Sequence, residues 1–167
     1  MSRIRVAVVM GVSGSGKTTL AHALADAWPA TFLDADDFHS IAAKARMAGG
    51  LPLTDRMRAP WVRRIALELQ RRVAAGERVV LAFSGLRRRH RERLRATGLP
   101  LRFLFLHGDQ GLIAARILAR SGHYMPASLL DSQFAALEEP TAETDVVRLS
   151  IEEAPSAQLD HALAALE

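Results

Sequence analysis

Glycines and one lysine recur at fixed intervals in GVSGSGKTTL, residues 11–20, directly after the apolar run IRVAVVM. Gly11, Gly16, Lys17 and Thr18 satisfy the spacing G-x-x-x-x-G-K-[ST], with Gly14 inside it. Glycines let backbone N–H groups curl around phosphate oxygens, and a helix opening at the loop's end adds positive potential. A lysine at this place reaches the β- and γ-phosphates, and the hydroxyl after it suits Mg²⁺. The segment Gly11, Val12, Ser13, Gly14, Ser15, Gly16, Lys17, Thr18 and Thr19 therefore reads as a nucleoside-triphosphate cradle, with ATP and Mg²⁺ as the implied cofactors.

A second acidic group follows in FLDADDF, where Asp34 and Asp36 are two residues apart. On an extended strand they would point the same way. At the strand's carboxyl end, one could stand near Mg²⁺ and the other near an acceptor hydroxyl. The competing reading is a pair of solvated loop carboxylates or a helix cap.

The elements that must position these groups alternate along the chain. Apolar, β-branched runs stand at 4–10, 31–35, 78–83, 101–107 and 145–151. Helical patterns lie near 17–28, 39–48, 60–75, 87–96, 109–120, 126–138 and 156–166, with Pro60 read in the first turn of the third. Continuous apolar strands separated by helices predict a doubly wound α/β domain with a parallel five-stranded sheet covered on both faces. Ligands are expected at the carboxyl ends of the strands. Two glycine- and proline-bearing segments, AGGLPLTD at 48–55 and RSGHYMP at 120–126, are lid candidates.

Composition narrows the class further. At 167 residues, 49% of them apolar, one domain over 1–167 is expected. There are no cysteines, which excludes disulfides and thiolate chemistry. No run approaches the ~20 apolar residues of a membrane span, and MSRIRVAVVM lacks a signal-peptide cleavage site. A cytoplasmic protein without membrane partners is expected. Only Lys17 and Lys44 are lysines among the 22 basic residues, so 20 are arginines. Genome-wide bias supplies arginines; position alone makes one a reader of phosphate or carboxylate.

FLDADDFH, RMAGGLPLTDRMRAPW, FSGLRRRHRERLR and RSGHYMPASLLDSQFAALEEP together resemble the gluconate kinase family. These are small P-loop kinases related to shikimate and adenylate kinases, with a three-layer nucleoside-kinase-like sandwich and a lid. The resemblance runs from about residue 6 to 140. It implies phosphoryl transfer from ATP to the 6-hydroxyl of D-gluconate, a small sugar-acid partner, and leaves a homodimer open. It implies a lid over about 118–126 and a substrate-side segment over about 37–60. Carried over by position, Asp34 would hold a water of the Mg²⁺ shell. Asp36 would bind the acceptor hydroxyl and act as base. Arg58, Ser84, His39, His123 and Gln133 would line the acceptor site, with Arg58 reading the acid. Arg116 and Pro155 would sandwich the adenine, and Arg120 would stabilise charge on the transferred group.

Departures cluster on the acceptor side: Ser40 for Pro, Ala43 for Asn, Met57 for an acid, Gly85 for Ala, Arg87 for Lys and His90 for Tyr. Met57 directly precedes Arg58, which is therefore expected to lack an orienting carboxylate. The helix carrying Arg87 to Arg95 is expected to spread its six arginines over a solvated face, with Leu94 inward. Trp61 is expected to pack rather than stack on a ligand. His22, His90, His107 and His161 show no partner and receive no role. Two alternatives stay open: a P-loop kinase of another small sugar acid or hydroxy acid, and a P-loop protein whose basic helix binds nucleic acid.

Overall fold

The computed structural model describes residues 3–119 and 127–167. Strand β1 (Val6–Met10) leads through the phosphate loop into α1 (Lys17–Ala27). β2 (Thr31–Asp34) runs into a 3₁₀ turn at Ala35–Phe38, followed by α2 (Ile41–Ala48) and α3 (Asp55–Ala74). β3 (Val79–Ala82), α4 (Arg88–Arg95), β4 (Leu101–His107) and α5 (Gln110–Ala119) follow. The chain ends with α6 (Ala127–Ala136), β5 (Val146–Ser150) and α7 (Pro155–Ala164).

The five strands form one parallel sheet in the order β2-β3-β1-β4-β5. β1 is buried at every position, as its unbroken apolar sequence requires. Its side chains alternate between two cores. Ala7 and Val9 meet Leu20 and Leu24 of α1, Ile113 and Ile117 of α5 and Ala162 of α7. Val6, Val8 and Met10 meet Trp61, Val62, Ile65 and Leu69 of α3 and Leu94 of α4. Each fully buried Leu, Ile or Phe stabilises the fold by about 1.5–3 kcal/mol. These two layers fix the sheet between its helices, so the strand ends are rigid mounts.

Register then brings the chemistry together. Asp34 pairs with Ala82, and Ala82 pairs with Val9. The chain therefore leaves β2, β3 and β1 at one level, carrying Asp36, Ser84 and Gly11 respectively. The Gly11 N–H donates to the Ser84 carbonyl at 3.1 Å, fastening the phosphate loop to the segment after β3.

Two boundaries differ from expectation. α3 starts at Asp55, five residues before the expected start, because the Thr54 hydroxyl accepts the Met57 N–H at 3.2 Å and caps it. Pro60 therefore lies exposed in the second turn rather than in the first. Asp36 does not continue β2: the strand ends at Asp34, whose carboxylate accepts the Asp36 N–H at 2.9 Å and caps the 3₁₀ turn. Asp34 is thus a helix cap as well as a candidate metal-site residue.

Candidate active site

The phosphate loop owes its shape to local backbone chemistry. Gly14 sits at φ 81°, in the left-handed region, with the Ile117 side chain 2.5 Å from where a Cβ would be. Both conformation and space demand glycine there. Gly16 caps α1 with no side chain bonded to the first-turn amides, which leaves those donors to a ligand. The Lys17 ammonium folds back onto the Val12 carbonyl at 3.1 Å. Burial lowers its pKa to about 8, against the opposing pull of Asp36 and Asp34.

A cavity of about 590 Å³ opens beside this loop. Ser13, Gly14, Gly16, Lys17, Thr18 and Thr19 line it from the loop and α1. Asp34, Asp36 and His39 line it from the β2 side. Arg58, Ser84 and Gln133, also expected from the sequence, line it as well. Gly11, Val12 and Ser15 are buried within the loop and shape it from behind. Arg116 and Pro155 do not line this cavity: the Arg116 guanidinium donates to the Ile151 carbonyl at 2.7 Å, and Pro155 opens α7. They share the neighbourhood of the chain after β5. Arg120 and His123, with the lid segment over 120–126, lie outside the described residues.

The acidic pair is differentiated by environment. Partial burial pushes the Asp34 carboxyl above its usual range, although the Asp36 N–H acts the other way. The Asp36 side chain is 80% exposed and open to a ligand. His39 is buried, stacked on Trp61 with ring centroids 4.2 Å apart, and its Nδ1 has no hydrogen-bond partner. Burial and the nearby Arg58 charge hold His39 neutral, with a pKa of about 4. The Trp61 indole N–H donates to the Ala35 carbonyl at 2.7 Å and the ring packs against Phe83. Trp61 packs as expected, and one surface of it also lines the cavity.

Gln133 approaches from α6 and meets the phosphate loop itself. Its carbonyl oxygen accepts the Ser13 N–H at 2.6 Å, and its amide donates to the Ser13 hydroxyl at 2.8 Å. Its contacts are with the nucleotide loop, not only with acceptor space.

Three acceptor-side expectations require correction. His90, given no role from sequence, is buried and lines the cavity. Burial, with Arg58 next, lowers its pKa to about 4. Arg58 does have an acidic partner despite Met57: Asp55, one helical turn earlier, lies 3.5 Å away. The α4 arginines are not all solvated. Arg91 is fully buried, bound to Glu143 and to the carbonyls of Gly85, Leu86 and Glu138. Arg95 binds Glu143 and Asp145. Leu94 points inward as expected.

A family model described as an AAA domain matches residues 6–140. A gluconokinase from Gluconobacter oxydans (strain 621H) is 44% identical over 156 residues, covering 93% of this chain and 88% of that protein. A gluconokinase from Arabidopsis thaliana is 41% identical over 152 residues, covering 83% and 80% respectively. The chain belongs to the gluconokinase family. The crystal structure of a gluconokinase from Sinorhizobium meliloti 1021 superposes with a TM-score of 0.90 at 38% identity, covering 99% of this chain and 93% of that one. The fold is the α/β kinase fold of that family, and nucleotide use follows from its phosphate loop. Among the described residues no helix is long and apolar enough to cross a membrane.

The family context gives the departures a structural meaning. Ser40 caps α2, its hydroxyl accepting the Ala43 N–H at 3.1 Å. It is a helix-starting residue. His90 and Arg87 stand at the cavity wall, so those departures reshape the acceptor side directly.

Proposed function

We infer that this chain transfers the γ-phosphoryl group of ATP to the 6-hydroxyl of D-gluconate, giving 6-phosphogluconate and ADP. The observation that carries this reading is a single cavity uniting the phosphate loop, the exposed carboxylate of Asp36 and the largely buried guanidinium of Arg58. Arg58 offers the acid two parallel donors, which a neutral sugar cannot use as well. Asp36 accepts the proton of the acceptor hydroxyl as its oxygen bonds to the γ-phosphorus. The bond between that phosphorus and the β,γ-bridging oxygen breaks, and the electron pair leaves with ADP. Lys17 lies against the phosphate-binding loop and offsets negative charge on the transferred group. His39 and His90 stay neutral, so Arg58 dominates the positive charge that meets the acid on their side.

Thr18 and Asp34 would hold Mg²⁺. They are hard oxygen donors, and no group of three or more His, Cys, Asp or Glu among the described residues forms a metal cage. That donor set fits a cation that keeps most of its shell as water and phosphate oxygen. When bound, Mg²⁺ would neutralise phosphate charge and orient the terminal group. Arg116 and Pro155 would flank the adenine, Arg120 would act over the transferred group, and His123 would line the acceptor site. A homodimer is compatible with this reading.

The test is an ADP-release screen over D-gluconate, other aldonates, D-glucose, shikimate, nucleoside monophosphates and a polynucleotide. The expected result is gluconate-dependent ADP release, with 6-phosphogluconate identified by mass spectrometry. Equal rates with glucose, or stimulation only by another acceptor, would refute the assignment. The polynucleotide arm tests the nucleic-acid alternative, which the engagement of Arg91 and Arg95 with acidic partners disfavours.

A further inference from the structure

Asp55 opens α3 among three arginines. Its Oδ1 lies 3.5 Å from the Arg58 guanidinium and 3.7 Å from Arg87 Nε, and its Oδ2 pairs with Arg89. Arg58 and Arg87 line the main cavity, whereas Asp55 and Arg89 line a smaller one beside it. The carboxylate therefore sits behind the two cavity-facing arginines and draws both toward a common point. The separations from Arg58 and Arg87 exceed ordinary hydrogen-bond length, so the close partner of the carboxylate is Arg89. Asp55 Oδ1 and Arg87 Nε are both buried without a hydrogen-bond partner. The arginine donors are held in place without being saturated. One carboxylate among three guanidiniums also leaves net positive charge at the cavity wall, and His39 and His90 beside it are neutral.

We propose that Arg58 and Arg87 form a two-armed reader of the acceptor's carboxylate, and that Asp55 is the positioning residue that holds the arms together. The proposal rests on the gluconate reading above. Arg87 enters from the segment before α4 and Arg58 from the first turns of α3, so neither element alone could set their spacing. Asp55 links the two elements at that point through Arg58 on its own helix and Arg87 and Arg89 on the other. Without it, two largely buried like charges would repel and splay. Removing Asp55 also removes a nearby negative charge, which by itself would favour an anionic acceptor. That opposing effect is non-directional and is reduced because Arg89 already neutralises the carboxylate through Oδ2, whereas loss of the arms' geometry acts on directional bonds.

The experiment measures kcat, KM for gluconate, KM for ATP and thermal midpoint for the full chain and for Asp55→Asn, Asp55→Glu and Arg87→Gln. Asp55→Asn and Arg87→Gln should each raise KM for gluconate about fivefold or more, in line with weakening one charge-assisted contact. KM for ATP and kcat should stay within about twofold, since the nucleotide loop is untouched. Asp55→Glu should restore much of the gluconate KM. In the Arg87→Gln background, Asp55→Asn should have a smaller effect than alone. An unchanged or lowered KM for gluconate in Asp55→Asn would overturn the proposal. So would a variant that only melts earlier, or loses gluconate and ATP binding alike, since that marks a brace between helices. If the unmutated protein does not phosphorylate gluconate, the parent reading falls and this one with it. If it does and Asp55 and Arg87 are silent, only the two-armed reader falls.

Discussion

Replacing Arg91 with methionine should cost this protein much of its stability although the residue touches no ligand. The Arg91 side chain is fully buried, and its guanidinium donates five times: twice to Glu143 at 2.8 and 2.6 Å, and once each to the carbonyls of Gly85, Leu86 and Glu138. Methionine fills much of the volume but leaves Glu143, itself 5% exposed, and three carbonyls short of donors. Breaking a buried pair from one side costs about 3–5 kcal/mol. Arg95 also binds Glu143, at 2.7 Å, and is retained in the variant, which argues for the lower end. For a chain of this size, about 3 kcal/mol lowers the thermal midpoint by about 6–12 °C. Circular dichroism melts at neutral pH measure this directly. Replacing Glu143 with leucine as well should recover part of the loss, because the uncompensated carboxylate is gone. Because Arg91 fastens the Gly85–Leu86 backbone, KM for gluconate should also rise at temperatures where the variant is folded. A midpoint within about 2 °C of the parent would refute the reasoning, since it would mean that the buried donors are replaced without penalty.

Other outcomes can be checked with the same protein. Lys17→Ala should reduce kcat by about a thousandfold while the protein stays folded, because the site loses the cation that offsets charge on the transferred group; near-normal turnover would remove the mechanism. Asp36→Asn should depress kcat with little change in Mg²⁺ requirement, whereas Asp34→Asn should raise the Mg²⁺ concentration for half-maximal rate; identical titrations would erase the division of roles. Gln133→Leu should raise KM for ATP more than KM for gluconate, since its amide bonds Ser13; the reverse order would put it on the acceptor side. Acid should destabilise the protein in two windows. Between pH 6.5 and about 4, the unfolded chain protonates histidines that the fold keeps neutral at His39 and His90, so stability falls as pH falls. Below pH 4.5 the lowered Glu143 pKa, about 2, adds a second loss, and Arg91→Met should shrink it. Urea melts across pH 3–7 would show both.

The phosphate loop was legible because its chemistry is local: glycine conformations and a fixed spacing need no distant partner. The strands were legible because burial on both faces leaves an unbroken apolar run. What escaped depended on partners far along the chain or on helix phase. Arg91 reads as one more surface arginine until Glu143, 52 residues later, is folded against it. His90 gains its place only from the rotation of α4 about its axis. Placing Pro60 at the first turn hid the Thr54 cap, and with it the helical turn that pairs Asp55 with Arg58. The departure at Met57 therefore looked more damaging than it is. Asp34 and Asp36 line one cavity, but through a strand end and a 3₁₀ turn rather than along one extended strand.

The depressed basicity of Lys17 has a consequence for covalent chemistry. An amine acylates only when neutral, and burial, which lowers the Lys17 pKa to about 8, leaves a substantial share of that side chain in this form near pH 8. An ordinary exposed lysine is neutral in roughly one molecule in 250 at that pH. The sequence holds one competing lysine, Lys44, on the exposed face of α2. A protein with twenty arginines and two lysines thus offers acylating electrophiles only two side-chain amines beside its α-amine. An activated ester bearing an anionic tail, drawn to the waiting amides at the start of α1, would mark the phosphate loop selectively and report, by its exclusion, when that loop is filled.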